Sequence, residues 1–270
     1  MSICKWRCAL ARGKRSGRSP WSPMANGTGR SSGFSCKDPM RVLAFETSTS
    51  RAGIALVDHQ GIVAERLLHA PMRHLEWVLV GLKEMLEEAG VSRQEIGGIA
   101  VSRGPGSFTG LRIGIATAVG LAKGWEIPVV GVSTLDVVAA GFPREGLVCA
   151  LLDARRGEAA VALFRIWRGL LTRITGDLVA PPGAVVELLE GYEGEEIALI
   201  GEGVARFGGE IRERLGDRVW LAPPVYWPPR AAIVGWLGRT LLLQGVKSDP
   251  YHLQPVYLRR PVLAGAIWGG

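Results

Sequence analysis

The run of glycines and hydroxyl residues near position 105 limits what this chain can fold into. It follows an apolar, strand-like stretch from Gly98 to Val101 and precedes a helical pattern. Glycine inside a regular element costs about 0.5–1 kcal/mol relative to alanine, so closely spaced glycines indicate a tight turn or a close approach. The N–H groups of such a loop can face an anion or another chain. The loop residues are Arg103, Gly104, Pro105, Gly106, Ser107, Phe108, Thr109 and Gly110, with Arg112 in the helix that follows.

The spacing of these glycines does not match the common nucleotide-binding motifs. A P-loop requires Gly-Lys followed by Ser or Thr, and the run contains no lysine. The dinucleotide motif Gly-x-Gly-x-x-Gly has a shorter last spacing than Gly104, Gly106 and Gly110 provide. Two interpretations stay open. Either the glycines serve tight packing, with Arg103 and Arg112 in surface ion pairs, or the loop binds a ligand or partner.

The positive charge of the chain is confined to its first 39 residues. The whole chain has a formal net charge of +7, and residues 1–39 contain eight Lys or Arg and one acid. Residues 40–270 therefore hold 24 basic and 24 acidic side chains. The first segment is rich in Ser, Gly and Pro without periodicity, which is typical of disorder. It is an extension from a misassigned start codon with Met40 as the true start, a solvated basic arm, or a targeting or RNA-binding segment.

Cysteine and histidine usage does not indicate a metal or disulfide site. Of four cysteines, only Cys149 lies outside the basic segment, in an apolar run typical of a buried, reduced thiol. His69 and His74 are five residues apart, whereas a metal-binding pair on one helical face needs a spacing of four. Residues 40–270 contain no Gly-x-Ser-x-Gly nucleophile motif, and no apolar run reaches the roughly 18 residues of a membrane span. We therefore expect a cytoplasmic protein without a metal site or membrane segment.

The order of the predicted elements indicates an α/β fold. Three antiparallel strands between residues 41 and 68 precede a helix from Leu75 to Ala89, and a strand, a helix and a strand follow. This order matches the repeating half of the actin-like ATPase-type (ASKHA) fold, in which two related α/β subdomains contain mixed sheets.

Shorter elements are predicted in the second half of the chain. They include a strand from Leu147 to Asp153, a loop from Asp177 to Pro182 and a long helix from Pro229 to Gln244. No repetition between the two halves is visible in the sequence. The predicted organisation is a disordered basic extension, an N-terminal subdomain and a C-terminal subdomain, over residues 1–39, 40–145 and 146–270.

An acidic residue and two hydroxyls close the first predicted strand, at Glu46, Thr47 and Ser48. In nucleotide-binding proteins of this architecture an acidic residue here holds hydrated Mg²⁺, and the hydroxyls and amides that follow meet phosphate. The three residues are therefore candidate nucleotide contacts. The alternative is a strand-end carboxylate beside a hydroxyl-rich turn. The second half offers no clear second phosphate loop, and Gly201-Glu202-Gly203 is the nearest.

Two predicted helices carry more apolar surface than one buried face needs, namely Leu75 to Ala89 and Leu111 to Ala122. A helix that is apolar on two sides buries both, one against the sheet and one against another surface. That other surface is either a partner chain or the second half of the same chain. The residues predicted at a partner interface are Leu75, Trp77, Val78, Leu79, Leu82, Leu111, Ile115 and Ala118.

Five stretches of the sequence resemble one known family. The most specific is SRGPGSFTGLRIG, from Ser102 to Gly114, and the supporting stretches are 41–48, 127–135, 152–158 and 255–259. Together they resemble the TsaB (YeaZ) family, a glycoprotease-like branch of the actin-like superfamily. Members of this family start directly before the first strand, which favours Met40 as the start. They often have Asp where this chain has Glu46.

The resemblance implies a non-catalytic dimerisation and scaffold subunit of the bacterial tRNA N6-threonylcarbamoyladenosine transferase complex. In that complex the family acts with the related catalytic subunit TsaD and the ATPase TsaE, which together modify an adenosine in tRNA. The catalytic relative holds its metal with a histidine pair that this chain lacks. The resemblance also implies that the two helices described above form the dimer surface.

The expected partners follow from the same resemblance. They are a TsaD-like catalytic paralogue, a TsaE-like ATPase and, indirectly, tRNA, with a homodimer when the chain is alone. No cofactor of its own is expected, and the binding of ATP with Mg²⁺ at the interface of the complex stays open. One alternative is a stand-alone ATP-dependent transferase or kinase, in which Mg-ATP binding depends on Glu46 and Thr47. Another is a glycoprotease-like peptidase, for which the sequence supplies neither nucleophile nor metal centre.

Overall fold

The first half of the chain forms a five-stranded mixed sheet. The structure, a computed structural model, describes residues 39–69 and 74–258, so the predicted basic extension lies almost entirely outside the described residues. The strands are β1 (Arg41–Glu46), β2 (Arg51–Val57), β3 (Ile62–His69), β4 (Ile96–Gly104) and β5 (Val129–Ser133). Their order is β3-β2-β1-β4-β5, with β1 to β3 antiparallel and β4 and β5 parallel to β1. The predicted order of these elements is confirmed.

Helices α1 (His74–Ala89) and α2 (Phe108–Trp125) cover one face of this sheet. The inward stripe of α1, with Val78 and Met85, packs with Leu43 and Phe45 of β1 in one core cluster. Every residue from Val42 to Phe45 is 0% exposed. A strand buried on both faces is apolar along its whole length, which is why β1 has a continuous apolar run rather than an alternating pattern.

The second half forms a six-stranded sheet with two outer helices. Its main path is β11-β10-β6-β7-β8, and β9 pairs with β7. Strands β6 and β10 are parallel, as are β10 and β11, whereas β7 is antiparallel to β6. These elements are β6 (Gly146–Asp153), β7 (Ala159–Trp167), β8 (Leu170–Arg173), β9 (Leu178–Ala180), α4 (Pro182–Glu190), β10 (Ile197–Ile200), α5 (Val204–Leu215) and β11 (Val219–Leu221).

Two short strands were not predicted. Strand β8 follows a two-residue turn at Arg168 and Gly169, both at positive φ, and this pair differs from the usual Asn-Gly or Asp-Gly turn signal. Strand β9 lies inside the predicted loop from Asp177 to Pro182, so that prediction is wrong over three residues. With β8 in place, both sheets have the same order: three antiparallel strands followed by two parallel ones. The two halves of the chain therefore repeat the same sheet topology, although no repetition is visible in the sequence.

Helices α3 (Thr134–Ala140) and α6 (Ala231–Leu243) follow the last strand of each sheet and lie between the two sheets. Leu135 of α3 packs with β6 and β7, which belong to the second sheet. Val234 of α6 packs with Val42 and Ala44, which belong to the first sheet. The predicted division at residue 145 assigned α6 to the C-terminal subdomain. The structure corrects this assignment, because the apolar face of α6 is buried by the N-terminal sheet.

Close packing of α6 on the first sheet requires glycine at Gly238. A Cβ at this position would lie 2.3 Å from the Cβ of Ala100 in β4. We predict that Gly238→Ala lowers the free energy of unfolding by about 1–3 kcal/mol, the usual cost of overpacking a core. The control is Gly209→Ala in α5, where a Cβ meets no atom within 4 Å. It should stabilise by up to about 1 kcal/mol through helix propensity. Denaturant unfolding of the full chain measures both, and equal effects would contradict the packing account.

Candidate functional site

The glycine-rich loop joins the end of β4 to the start of α2 and packs under the C-terminal segment. Gly104 has φ +112°, a backbone conformation that favours glycine, and a Cβ there would lie 2.7 Å from the carbonyl oxygen of Val256. The N–H of Val256 donates to the carbonyl oxygen of Arg103 at 2.6 Å. Ser107 is the N-cap of α2, and its hydroxyl accepts from the N–H of Gly110 at 3.3 Å.

Three glycines of the loop and helix contact the turn between β1 and β2. A Cβ on Gly106 would lie 2.3 Å from the carbonyl oxygen of Ser48. A Cβ on Gly110 would lie 2.0 Å from the carbonyl oxygen of Thr47, and one on Gly114 2.2 Å from its hydroxyl oxygen. The Thr47 hydroxyl donates to the carbonyl oxygen of Gly110 at 2.8 Å. Of the two interpretations of the glycines, these contacts favour tight packing within the chain.

The N–H of Ser107 in this loop is used internally. It donates to the carbonyl oxygen of Ser48 at 2.6 Å. Of the amides that follow, those of Gly110 and Leu111 donate to the side chain and carbonyl oxygen of Ser107. A helix N-terminus binds anions through amides that lack a partner. The amides of Ser107, Gly110 and Leu111 are thus used within the chain.

Glu46 at the end of β1 is the centre of a buried polar cluster. One carboxylate oxygen accepts from the N–H of Ser48 at 2.7 Å and from the Ser48 hydroxyl. The other accepts from the hydroxyl of Ser102. Complete burial raises the pKa of Glu46 above its ordinary value, although the hydrogen bonds from Ser102 and Ser48 act in the opposite direction. The negative charge of Glu202 raises this pKa further.

The three candidate nucleotide contacts do not fit a nucleotide. Glu46 and Thr47 are 0% exposed and Ser48 is 2% exposed. Their side chains bind Ser102, Gly110 and each other, as described above. A metal or phosphate group would need oxygen atoms that face an open site. The prediction that these side chains contact a nucleotide is therefore corrected, because hydrogen bonds within the chain occupy their polar side-chain atoms.

Most of the predicted interface residues lie in the core. Five of the eight, Val78, Leu82, Leu111, Ile115 and Ala118, are at most 5% exposed. Their side chains are buried because the apolar stripe of each helix faces the first sheet and the glycine-rich loop. The prediction that these side chains face a partner is corrected for Val78, Leu82, Leu111, Ile115 and Ala118. The side chains of Leu75 and Trp77 lie outside the part of the chain that the structure describes.

The solvent-facing surface of α1 and α2 has a different set of residues. Leu79 is 50% exposed and Val80 58% exposed on α1. Leu79 was predicted, whereas Val80 was not assigned although it lies beside the apolar stripe. Along α2 the exposed positions Ala116, Gly120 and Gly124 are small, and a Cβ on either glycine meets no atom within 4 Å. We call Leu79, Val80 and these three positions the outer surface of α1 and α2.

At the start of α2, Phe108, Arg112 and Tyr257 form one exposed cluster, which we call the aromatic–arginine cluster. The Phe108 and Tyr257 rings are stacked, with centroids 5.1 Å apart. The Arg112 guanidinium carbon lies 3.9 Å from the Phe108 centroid, and its Nε–H donates to the Tyr257 hydroxyl at 3.1 Å. Phe108 is 44% exposed and Tyr257 36% exposed. Phe108 and Arg112 were predicted as site residues, and Tyr257 was not.

The C-terminal segment that carries Tyr257 is attached to the edge of the first sheet. The N–H of Ser248 donates to the carbonyl oxygen of Val129 at 2.8 Å, and its hydroxyl accepts from the N–H of Gly131 at 3.2 Å. Leu253 packs against the core cluster beneath α1 and α2. These contacts cover the edge of β5 and bring Tyr257 to the glycine-rich loop.

Within the described ranges the structure contains no group of three or more His, Cys, Asp or Glu side chains that could hold a metal ion. His59 follows β2, and His252 accompanies Asp249 in the C-terminal segment. Among the helices of the described residues, none is both long and apolar enough to cross a membrane.

Comparisons with known proteins decide the family. The sequence model described as TsaD, tRNA N6-adenosine threonylcarbamoyltransferase, matches residues 55–210. The chain is 35% identical to the tRNA threonylcarbamoyladenosine biosynthesis protein TsaB of Escherichia coli, over 83% of this chain and 96% of that protein. It is 29% identical to TsaB of Bacillus subtilis, over 82% of this chain and 94% of that protein. The chain belongs to the TsaB family.

The similarity of this TsaB-family chain extends to three dimensions. The solved structure of YeaZ from Pseudomonas aeruginosa matches it with a TM-score of 0.71 at 27% identity, over 81% of this chain and 100% of that one. The two mixed sheets with their inner helices α3 and α6 are the actin-like ATPase fold. The predicted fold class and the predicted family are both confirmed.

The raised pKa of Glu46 predicts a pH-dependent stability. The native carboxyl binds its proton more tightly than the unfolded one, so unfolding releases a proton between pH 4.5 and the raised pKa. Stability should therefore fall as the pH rises through this window. We predict that Glu46→Gln reduces this slope by up to about 1.4 kcal/mol per pH unit. Asp136, whose pKa burial also raises, leaves a residual slope.

The measurement is denaturant unfolding between pH 4.5 and 8. The matched control is Glu213→Gln on the exposed surface of α5, which should leave the slope of the wild type unchanged. An unaltered slope in Glu46→Gln would mean that this carboxyl is not destabilised by burial.

Proposed function

We propose that this chain is a non-catalytic scaffold subunit of the tRNA N6-threonylcarbamoyladenosine transferase complex and activates a TsaD-type catalytic subunit. Membership of the TsaB family supports a role in the biosynthesis of this modified nucleoside. The observation that carries the scaffold role is the outer surface of α1 and α2, where Leu79 and Val80 of α1 expose apolar side chains and the exposed positions of α2 are small. Exposed apolar patches on soluble proteins mark interaction sites.

The burial of the polar side chains at the end of β1 supports a role without catalysis. A kinase or transferase with this fold would need polar side chains there that face its nucleotide. In this chain Glu46 is buried beneath Ser48 and Ser102, and Thr47 is bonded to Gly110. The polar atoms at this position thus stabilise the fold rather than face a substrate.

The proposed partners are a TsaD-like catalytic paralogue and a TsaE-like ATPase in the cytoplasm. Residues 40–270, with 24 basic and 24 acidic side chains, do not have the strong positive charge of a surface that holds RNA by itself. We therefore propose that tRNA is bound through the complex, and that ATP with Mg²⁺ acts at the interface of that complex. Without its partner the same outer surface would pair two copies of the chain.

The first alternative, a stand-alone ATP-dependent transferase or kinase, predicts ATP turnover by the isolated chain. The scaffold role predicts none. Loss of any such turnover in Thr47→Ala would support the alternative. The second alternative, a peptidase, would require a nucleophile or a metal centre, and the described residues contain no group of three or more His, Cys, Asp or Glu that could hold a metal ion.

We predict that Leu79→Glu weakens association with the catalytic paralogue at least about 10-fold, since a carboxylate buried without a partner at an interface is costly. Because Leu79 is half exposed, the variant should keep the melting temperature of the wild type. The matched control is Val225→Glu, at a 75% exposed residue outside the outer surface. Size-exclusion chromatography with light scattering on each full chain mixed with the paralogue measures the heterodimer. Equal heterodimer formation by Leu79→Glu and the wild type would reject this surface as the interface.

A further inference from the structure

The Arg112 guanidinium is held in a fixed orientation at the protein surface. Its guanidinium carbon lies 3.9 Å from the centroid of the Phe108 ring, and its Nε–H donates a hydrogen bond to the Tyr257 hydroxyl. Tyr257 is itself fixed by stacking on Phe108 and by the neighbouring hydrogen bond between Val256 and Arg103. A long side chain that is already ordered loses less conformational entropy when it binds a ligand.

The remaining donors of Arg112 lack a partner among the described residues. A guanidinium has five N–H donors in a planar fork, and the structure records a hydrogen bond from Nε alone. Among the described residues Arg112 forms no ion pair, and its side chain is exposed. The terminal Nη1 and Nη2 atoms can therefore take a carboxylate in the bidentate geometry that arginine favours.

The guanidinium of Arg112 lies on a helix surface that a second protein could approach. Phe108, Arg112, Ala116, Gly120 and Gly124 are spaced by four residues, so each is a surface neighbour of the next along a row that winds around α2 by about 40° per step. The cluster occupies the start of this row, and its later positions are small. Small residues permit close approach of a second helix, and an aromatic–arginine group is a typical interface hot spot.

We propose that the aromatic–arginine cluster is an anchor that binds an aspartate or glutamate side chain of the catalytic partner. This proposal rests on the proposed function, because it names the chemistry by which the same surface recognises the paralogue. Phe108 supplies the apolar platform, Arg112 the paired N–H donors, and Tyr257 the bond that orients the guanidinium. Tyr257 is thus a positioning residue contributed by the C-terminal segment.

A protein carboxylate fits this site better than an RNA phosphate. The neighbouring outer surface contains the apolar residues Leu79 and Val80, whereas RNA-binding surfaces are strongly positive. The Phe108 ring is also contacted within the chain by Tyr257 and Arg112, so it offers less surface for stacking a base. Binding of RNA is therefore kept as the competing outcome of the test.

The first experiment measures the affinity of full-length variants for the purified TsaD-type paralogue by isothermal calorimetry. Arg112→Ala should weaken binding at least about 10-fold. Arg112→Lys keeps the charge but loses the planar fork, and should weaken it about 3- to 10-fold. Tyr257→Phe keeps the ring stack and loses only the orienting hydroxyl, so it should produce a smaller loss in the same direction. The matched control is Arg93→Ala, an exposed arginine outside α2, which should bind as the wild type does.

The second experiment identifies the partner residue. A carbodiimide joins a lysine amine to a carboxylate without adding a spacer. In the heterodimer formed by Arg112→Lys, it should link the introduced amine to an aspartate or glutamate of the paralogue, located by mass spectrometry. The melting temperature of each variant is recorded, so that a loss of binding through unfolding is recognised.

Four results would be distinct. Weaker binding by Arg112→Ala with an unchanged melting temperature and a cross-link to the paralogue supports the anchor. Wild-type affinity in Arg112→Ala overturns the anchor and leaves the proposed function standing. Failure of the wild type itself to bind the paralogue overturns both. Unchanged binding of the paralogue together with weakened binding of tRNA by the complex overturns the carboxylate anchor in favour of an RNA phosphate.

Discussion

The approach of the Thr47–Ser48 backbone to three glycines governs the geometry of this protein. Gly106, Gly110 and Gly114 leave the space into which that turn fits, and any larger residue there would overlap it. The contact places α2 directly on the first sheet. It also fixes where the helix begins, because the amide and side chain of Ser107 are both engaged there. The glycines are thus a requirement of packing before they are part of any site.

Two functional consequences follow from this one contact. The turn that could meet phosphate in a nucleotide-binding relative is instead buried, with Glu46 bonded to Ser48 and Ser102. At the same time the opposite side of α2 remains uncovered, and its first turn presents Phe108 and Arg112. The turn that would bind a ligand is buried, whereas one side of α2 is exposed to solvent. This combination is suited to binding another protein. Under the scaffold proposal, both properties serve activation of a catalytic partner.

Much of the fold could be predicted because its signals are local. The continuous apolar run of β1 and the helical stripe of α1 follow directly from burial. Strands β8 and β9 were missed because short strands with weak turn signals leave little pattern. The residues of the candidate site were harder to predict from the sequence than the fold. The periodicity that identifies a buried stripe cannot tell it from an interface, so Val78 and Ile115 were assigned to the wrong side. Tyr257 lies 145 residues from Arg112, and only the folded chain brings them together.

The central claim is that this chain activates another subunit and does not itself catalyse the modification. Reconstituted threonylcarbamoylation of tRNA, with each protein omitted in turn, tests it most directly. The account predicts product only when this chain, the TsaD-type subunit and the TsaE-type ATPase are all present, and none from this chain alone. Product formed by this chain in the absence of the TsaD-type subunit, or full activity after this chain is omitted, would contradict the account.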